Sequence, residues 1–367
     1  MAKNYGYVIP YLGIVNNLIP FMLHLRFDKE DWQWQDAFAK SESSLAFWEK
    51  QVYQRLQSFF DPSIEHFSFQ TSGSTGKPKI IAIHREQILA SARASLAFFE
   101  LRPGQRMLLC LSAERIGGCM LLYRAILGQL EVIVKEPRRS VHCEIPVDFT
   151  SLVPLQFHNL RENNPKQFNQ LGTILLGGSP IDQDTESFIQ SMDNEVYQSF
   201  GMTETVSHIA LRKVGYESAY TCLPNVSVAK GDQDELLIRA PSITGQEVLR
   251  TQDVVSVIND QQFTWKGRLD FIINSGGVKI CPEEVEAHCA KHIAEPHIVS
   301  SLPDKALGQV VVLCIELSDE QSLERIHQML DAIDFPKYHR PKKVLRIPEI
   351  PRLENGKIDR LAVKEFL

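Results

Sequence analysis

Residues 71–79 read Thr-Ser-Gly-Ser-Thr-Gly-Lys-Pro-Lys and join two short strand-like apolar segments. In such a glycine-rich loop, backbone N–H groups and lysine ammonium groups can surround a polyphosphate. The spacing differs from that of a Walker A loop, because only two residues separate Gly73 from Gly76 and Pro78 follows Lys77. A strand follows the loop, so we expect the loop to cover phosphates rather than seat them on a helix N-terminus. A turn without a ligand remains the alternative, since turns select the same residue types.

Three more segments follow this loop along the chain. They are Tyr-Gln-Ser-Phe-Gly-Met-Thr-Glu-Thr at 197–205, Gly-Arg-Leu-Asp-Phe-Ile-Ile-Asn-Ser-Gly-Gly at 267–277, and Pro-Arg-Leu-Glu-Asn-Gly-Lys-Ile-Asp at 351–359. Together with the loop, they resemble the nucleotide motifs, the hinge and the catalytic-lysine motif of the adenylate-forming superfamily. That superfamily includes acyl-CoA synthetases, the adenylation domains of peptide synthetases, and luciferases.

The resemblance implies that the chain activates a carboxylic acid with ATP and Mg²⁺. The first motif would hold the β- and γ-phosphates through Thr71, Ser72, Gly73, Ser74, Thr75, Gly76, Lys77 and Lys79. Thr203 would contact the α-phosphate and Glu204 would bind the metal, a division that suits a hydroxyl donor and a hard cation. The adenosine would be held by Gly177, Gly178, Ser179, Phe200, Gly201, Asp253 and Arg268. Gln252 precedes Asp253, at a position where the superfamily usually has glycine.

The resemblance also implies two reaction steps in one cleft. Lys357 would bridge the carboxylate and the α-phosphate during adenylation. A small domain would then rotate about Asp270, which withdraws Lys357 and brings Gly276, Gly277 and Lys279 to the site for thioester formation with coenzyme A. A nucleotide-binding regulator without catalysis is a further alternative, but it would need neither Lys357 nor the metal-binding glutamate.

The apolar pattern divides the chain into two units. Between residues 107 and 192, short apolar runs alternate with helical stretches, which predicts an α/β domain with a largely parallel sheet. The strand-rich pattern after Glu195 predicts a β-rich subdomain attached to that sheet. A smaller α+β unit follows, so we assign residues 1–268 to a large AMP-binding domain and 269–367 to a mobile domain.

Two segments near the N-terminus give further expectations. Helical spacing of apolar residues at 30–60 predicts one or two helices before the first motif. The apolar segment Tyr5–Leu25 is interrupted by Pro10 and Pro20, so we do not expect it to insert into a membrane.

The composition bears on partners and location. The 39 Lys and Arg residues against 45 Asp and Glu give a net charge of −6, which argues against a protein that coats nucleic acid or an anionic membrane. The seven cysteines are scattered without a C-x-x-C pair, which indicates reduced thiols in the cytoplasm and no zinc site. The expected partners are therefore small molecules, namely a carboxylic acid, ATP and coenzyme A, and the sequence leaves a homodimer open.

The carboxylic acid is suggested by chain length and a few polar residues. Seventy residues precede the first motif, and compact members of the superfamily resemble the short o-succinylbenzoate-CoA ligases of menaquinone biosynthesis. Arg115, close to Gly117, would pair with the second carboxylate of that acid, and Ser207 and His208 are further candidates for the acyl pocket. Surface or structural roles for Arg115 and His208 stay open. The alternative functions are another small aryl- or acyl-CoA synthetase and a carrier-protein adenylation enzyme, which an attached carrier domain would favour.

Overall fold

The structure is a computed structural model that describes residues 24–27, 31–33, 45–70, 79–317, 319, 321–353 and 358–367. Two predicted parts of the site, residues 71–77 of the phosphate loop and Lys357, lie outside these ranges. Among the described residues, no helix is both long and apolar enough to span a bilayer.

The secondary structure alternates strands and helices through the first half of the chain. The strands are β1 (His24–Arg26), β2 (Asp31–Gln33), β3 (His66–Gln70), β4 (Ile80–His84), β5 (Arg106–Leu109), β6 (Glu131–Val134), β7 (Val147–Leu152), β8 (Leu171–Leu176), β9 (Val196–Gly201), β10 (His208–Lys213), β11 (Tyr220–Cys222), β12 (Ser227–Lys230), β13 (Glu235–Arg239), β14 (Leu249–Asn259), β15 (Gln262–Arg268), β16 (Ile273–Ser275), β17 (Val278–Ile280), β18 (His297–Asp304), β19 (Gly308–Glu316) and β20 (Lys343–Ile347). The α-helices are α1 (Phe47–Phe60), α2 (Arg85–Phe98), α3 (Ile116–Gly128), α4 (Pro154–Asn163), α5 (Gln183–Gln190), α6 (Pro241–Thr244), α7 (Pro282–Cys289), α8 (Gln321–Ala332) and α9 (Arg360–Val363).

A mixed thirteen-stranded sheet forms the larger unit, in the order β12-β13-β14-β15-β11-β10-β9-β8-β7-β5-β6-β1-β2. Its centre, from β9 to β1, is parallel, and the strands from β10 onward are antiparallel. Both faces are covered by apolar cores, because Val132 faces one core and the next residue, Ile133, faces the other. This arrangement explains the uninterrupted apolar runs of the parallel strands. The predicted α/β class with a β-rich extension is confirmed.

The prediction of helix across residues 30–60 is wrong at its start. Residues 31–33 form β2, which pairs antiparallel with β1, and only α1 at 47–60 is helical among the described residues of this segment. Backbone pairing with a neighbouring strand supplies the hydrogen bonds here, and such tertiary context overrides a helical spacing of side chains.

A smaller unit begins after β15. Its sheet has the order β17-β16-β19-β18, with β20 parallel to β19, and α7 and α8 cover one face. The larger sheet ends with β15 at Arg268, and the smaller sheet begins with β16 at Ile273. Glu283 of α7 packs against Gly267 of β15, where a Cβ atom would lie only 2.3 Å from Glu283 Oε2. Burial raises the pKa of this glutamate to about 7, although Arg360 lies 3.3 Å away.

All seven cysteines are free and buried. They lie on several elements of both units, and burial raises the thiol pKa of Cys110 and Cys281 to about 12. At neutral pH these thiols are protonated, so they act as small apolar side chains of the cores.

The hairpin β3–β4 is a separate two-stranded sheet, and the phosphate loop connects its strands. Arg85, the first residue of α2, contacts both this hairpin and the C-terminal end of α1. Its guanidinium donates hydrogen bonds to the carbonyl oxygens of Phe59, Asp61 and Ile64 at 2.6–3.0 Å, and it lies over the ring of Phe67 at 5.0 Å. Phe59 O belongs to the last turn of α1, where carbonyl groups have no partner within the helix, and the guanidinium supplies that partner while it also binds the segment that follows.

Replacing Arg85 should destabilise the larger unit. We expect Arg85→Met to lower its free energy of unfolding by about 3 kcal/mol, because several carbonyl groups lose a charged donor. Arg93→Met is the matched control, since Arg93 lies exposed on the same helix, and it should change stability by less than about 0.5 kcal/mol. Urea unfolding followed by tryptophan fluorescence measures both, and equal effects of the two substitutions would contradict the role given to Arg85.

Candidate active site

Five of the predicted adenosine-binding residues, 177–179 and 200–201, lie at the carboxyl ends of the neighbouring parallel strands β8 and β9, where α/β sheets bind ligands. Gly177 and Gly178 follow β8, and Ser199 of β9 donates a hydrogen bond from its hydroxyl to Leu176 O at 3.0 Å. A Cβ atom on Gly177 would lie 2.9 Å from Ser199 Oγ, and Gly178 has a φ of +98°. Glycine at both positions therefore lets the backbone turn closely past the end of β9.

The segment 201–208, here called the β9–β10 reversal, turns the chain from β9 into its antiparallel neighbour. Gly201 touches the far side of the turn, because a Cβ atom on it would lie 2.1 Å from Ser207 O. Val206 has a φ of +62°, and Ser207 N donates to Thr205 O at 2.6 Å across it. A positive φ is strained for a β-branched residue, and such strain is concentrated at functional sites.

The two sides of the reversal differ in their exposure to solvent. Thr203 and Glu204 lie on its outer side, where Glu204 is exposed and forms no ion pair with a described residue. Ser207 is half-buried and His208 is buried on the inner side. An exposed carboxylate is free to reach a metal ion that is shared with phosphates.

The donor set fits magnesium better than a metal held by protein ligands alone. No three His, Cys, Asp or Glu side chains of the described ranges cluster as metal ligands. Magnesium is commonly bound by one or two carboxylates together with phosphate oxygens and water. A single exposed carboxylate at Glu204 meets that requirement.

Phe200 stands at the end of β9 within an aromatic group. Its ring centroid lies 5.1 Å from that of Phe263 and 5.7 Å from that of Tyr220. The ring is half-buried, so neighbours fix its orientation while part of it stays accessible. The position can supply a flat apolar surface to a nucleobase.

Asp253 and Arg268 are paired directly across β14 and β15. Trp265 donates its indole N–H to Asp253 Oδ1 at 2.9 Å, and Arg268 Nη1 lies 3.9 Å from Asp253 Oδ2. The same guanidinium also holds Asp270 Oδ2 at 2.7 Å. Arg268 therefore contacts both Asp253, the predicted ribose partner, and Asp270, the predicted hinge residue.

The remaining motif residues lie on the smaller unit or at the edge of the described ranges. Gly276 and Gly277 have φ values of +59° and +82° and form the tight turn between β16 and β17, a two-residue turn that favours glycine. Lys279 is exposed on β17, and Lys79 is exposed just before β4.

The structure adds a residue that the motifs did not indicate. Arg124 of α3 is 2% exposed and has no carboxylate partner among the described residues. Its Nη2 donates to Ser207 Oγ at 2.8 Å, while its Nε atom has no hydrogen-bond partner within the described part of the chain. Burial lowers its pKa to about 10, so the guanidinium is charged at neutral pH. A basic residue inside the apolar run 119–127 was the signal in the sequence.

The predicted acyl-pocket residues separate into two groups. Ser207 and His208 lie beside Arg124, and His208 Nε2 is 2.9 Å from Ser95 Oγ. Burial, and then the charge of Arg124, hold the pKa of His208 well below its usual value.

Arg115 precedes the first turn of α3 and is exposed, and the helical rise puts it roughly 13 Å along the axis from Arg124. Gly117 is exposed beside Arg115, so the proposed acyl roles of these two residues stay predictions.

Comparison with known proteins identifies the family and the fold. The AMP-binding enzyme family model matches residues 26–257. A 2-succinylbenzoate–CoA ligase of Listeria monocytogenes is 28% identical over 328 residues, covering 80% of this chain and 68% of its own. An acyl-CoA synthetase (AMP-forming)/AMP-acid ligase II-like protein from Dyadobacter fermentans is similar in structure, with a TM-score of 0.60, 30% identity, and coverage of 90% of this chain and 97% of its own. The O-succinylbenzoate coenzyme A synthetase of Bacillus subtilis, solved with ATP and magnesium ion, shares the fold at a TM-score of 0.70, with 22% identity and coverage of 81% of this chain and 69% of its own.

Gly201 should not tolerate a side chain. We expect Gly201→Ala to destabilise the larger unit by about 3 kcal/mol, because the new methyl group would overlap backbone atoms of the reversal that cannot move independently. Gly117→Ala is the control: its Cβ would meet only Leu111 Cδ1, at 4.0 Å, so stability should stay within about 0.5 kcal/mol or rise. Urea unfolding of both variants tests this, and a stable Gly201→Ala protein would show that the close approach is not needed.

Proposed function

The chain belongs to the AMP-binding enzyme family, and from this premise we propose that it joins 2-succinylbenzoate to coenzyme A through an acyl adenylate. In the first step, a carboxylate oxygen attacks the α-phosphorus of ATP, the bond between the α-phosphorus and its bridging oxygen breaks, and pyrophosphate leaves. In the second step, the sulfur of coenzyme A attacks the acyl carbon, the carbon–oxygen bond to AMP breaks, and the thiol proton passes to solvent. The name of the Listeria monocytogenes relative supports this choice of acid.

The observation that carries the choice of a dicarboxylic acid is the buried charge of Arg124, which no carboxylate of the described residues pairs. A buried cation without a counter-ion is costly, so such a site is expected to receive an anion from a ligand. The carboxylate that becomes an adenylate loses its own charge, and it therefore cannot stay paired with the guanidinium through both steps. A second carboxylate keeps its charge throughout, and a guanidinium can bind it through two parallel hydrogen bonds.

In this proposal, residues of the larger unit each bind a different part of the nucleotide. Glu204 would hold magnesium, which neutralises phosphate oxygens when bound, and Thr203 would donate its hydroxyl to the α-phosphate. Asp253 would accept hydrogen bonds from ribose hydroxyls, with Arg268 beside it. Phe200 would face the adenine across the backbone of the Gly177–Ser179 turn.

Two segments outside the described residues complete the proposed reaction. The phosphate loop at 71–78 would enclose the β- and γ-phosphates, together with Lys79. Lys357 would stabilise the charge that develops between the attacking carboxylate and the α-phosphate. Rotation about Asp270 would then exchange Lys357 for the Gly276–Gly277 turn and Lys279 before coenzyme A reacts.

We propose a cytoplasmic location on the basis of the cysteines. All seven are free and buried, and disulfides are rare where glutathione keeps thiols reduced. This use of cysteine as an apolar core residue suits such a compartment.

Product analysis tests the proposed reaction directly. The purified chain is mixed with Mg-ATP, coenzyme A and one acid at a time: o-succinylbenzoate, benzoate, a fatty acid or an amino acid. We expect AMP, pyrophosphate and a thioester with o-succinylbenzoate in preference to the other acids, measured by mass spectrometry. Thioester formation with a different acid alone would discard the substrate, and the absence of AMP with every acid would discard the reaction.

The two arginines of α3 should differ in their effects on specificity. We expect Arg124→Met to lower kcat/KM for o-succinylbenzoate about a hundredfold, because the second carboxylate would be left buried without a partner. The loss for 4-oxo-4-phenylbutanoate, which lacks the benzoate carboxylate, should be much smaller. Arg115→Met is the comparison, and a larger selective loss from that substitution would transfer the carboxylate site to Arg115, as the sequence had indicated.

A further inference from the structure

We propose that His208 and Ser95 are positioning residues that orient Ser207 and Arg124 through a one-directional hydrogen-bond relay, and thereby set the preference for an acyl substrate with a second carboxylate. This inference rests on the proposed function for its substrate, but the relay itself can be tested without turnover. Neither residue needs to touch the acid, because each acts through its neighbour.

The direction of the relay follows from the hydrogen-bonding capacity of each group. Ser95 Oγ lies 3.2 Å from Ser91 O, a carbonyl oxygen that can only accept, so the serine hydroxyl donates there. Ser95 has one proton, so its contact with His208 Nε2 at 2.9 Å requires the ring nitrogen to donate. The imidazole is therefore the Nε2–H tautomer.

The other ring nitrogen completes the relay. In this tautomer His208 Nδ1 is an acceptor, and it lies 3.4 Å from Ser207 Oγ. Ser207 Oγ accepts a hydrogen bond from Arg124 Nη2 at 2.8 Å, which leaves its own proton available for Nδ1. Every group from Arg124 to the backbone of α2 thus donates in the same direction, an arrangement in which each bond polarises the next.

Burial makes the relay rigid and keeps its histidine neutral. Ser95 is fully buried and His208 is 4% exposed. Burial first, and the charge of Arg124 second, lower the pKa of His208 well below its usual value. A protonated ring would donate from both nitrogens and would compete with Arg124 for the lone pairs of Ser207. The neutral ring avoids that competition and leaves the guanidinium as the charged group that faces the substrate.

The relay ties three elements to one point of the site. Ser95 belongs to α2, His208 begins β10, and Arg124 belongs to α3, so the orientation of the guanidinium depends on how these elements pack. Ser207 is the one hydrogen-bond partner that the described residues give Arg124. When the relay is cut, Arg124 should keep its charge but lose its fixed direction, which weakens a bidentate contact more than a general attraction.

Ser95→Ala cuts the relay, and Ser91→Ala is its matched control. Both serines are fully buried on α2, but Ser91 Oγ has no hydrogen-bond partner among the residues that the structure describes, and its backbone carbonyl remains after substitution. We expect Ser95→Ala to raise the KM for o-succinylbenzoate about tenfold, with the KM for ATP unchanged and kcat changed less than about threefold. The KM for 4-oxo-4-phenylbutanoate should stay near its original value. Equal changes for the two acids, or equal effects of the two serine substitutions, would overturn the proposal.

Nuclear magnetic resonance tests the relay apart from catalysis. In protein labelled with ¹⁵N-histidine, the ring signals of His208 are assigned by their loss in His208→Gln. We expect shifts of the neutral Nε2–H tautomer from pH 6 to pH 8, and a change of those shifts in Ser95→Ala but not in Ser91→Ala. An Nδ1–H or doubly protonated ring would overturn the relay even if the enzyme uses o-succinylbenzoate. Loss of the proposed activity with the expected ring signals would instead contradict the substrate assignment.

Discussion

The close contact of Gly201 with Ser207 is the constraint on which the site depends. The two residues are so near that only a missing side chain at Gly201 allows the approach, and the chain between them must therefore turn within a few residues. Val206 takes a positive φ to complete the turn. The surrounding sheet holds this strained geometry, because β9 and β10 are each paired with further strands.

The reversal separates two kinds of electrostatic environment. On the outer side, Glu204 stays in contact with water, where a carboxylate keeps its charge and can share a cation with phosphates. On the inner side, His208 is neutral and Arg124 is buried with its charge. In the proposed function, the same short segment would contact the nucleotide on its exposed side and the acyl group on its buried side, where charges interact more strongly because water is largely excluded.

The carboxyl end of β15 connects the nucleotide residues to the smaller unit. Arg268 lies between Asp253 and Asp270, so a change in the chain direction at Asp270 alters a contact of the same guanidinium that approaches Asp253. Gly267, the residue before Arg268, packs against Glu283 of the smaller unit. If Asp253 binds the ribose as proposed, these side chains would couple the order of the ribose site to the position of the smaller unit.

The sequence alone determined the class of the fold and the order of its motifs. Apolar runs of strand length mark buried strands, and the alternation predicted between residues 107 and 192 corresponds to strands β5 to β8 and the helices between them. Residues 31–33 were misjudged, because a strand this short is decided by its partner β1 rather than by its own spacing. The tertiary structure alone decided the inner side of the site. Arg124 stands out as a basic residue in an apolar helix, but such a side chain can also reach water with its charged end, so its burial depends on the meeting of α2, α3 and β10. Ser95 and His208 lie more than a hundred residues apart, so their contact comes from the packing of distant elements, which local propensity does not encode.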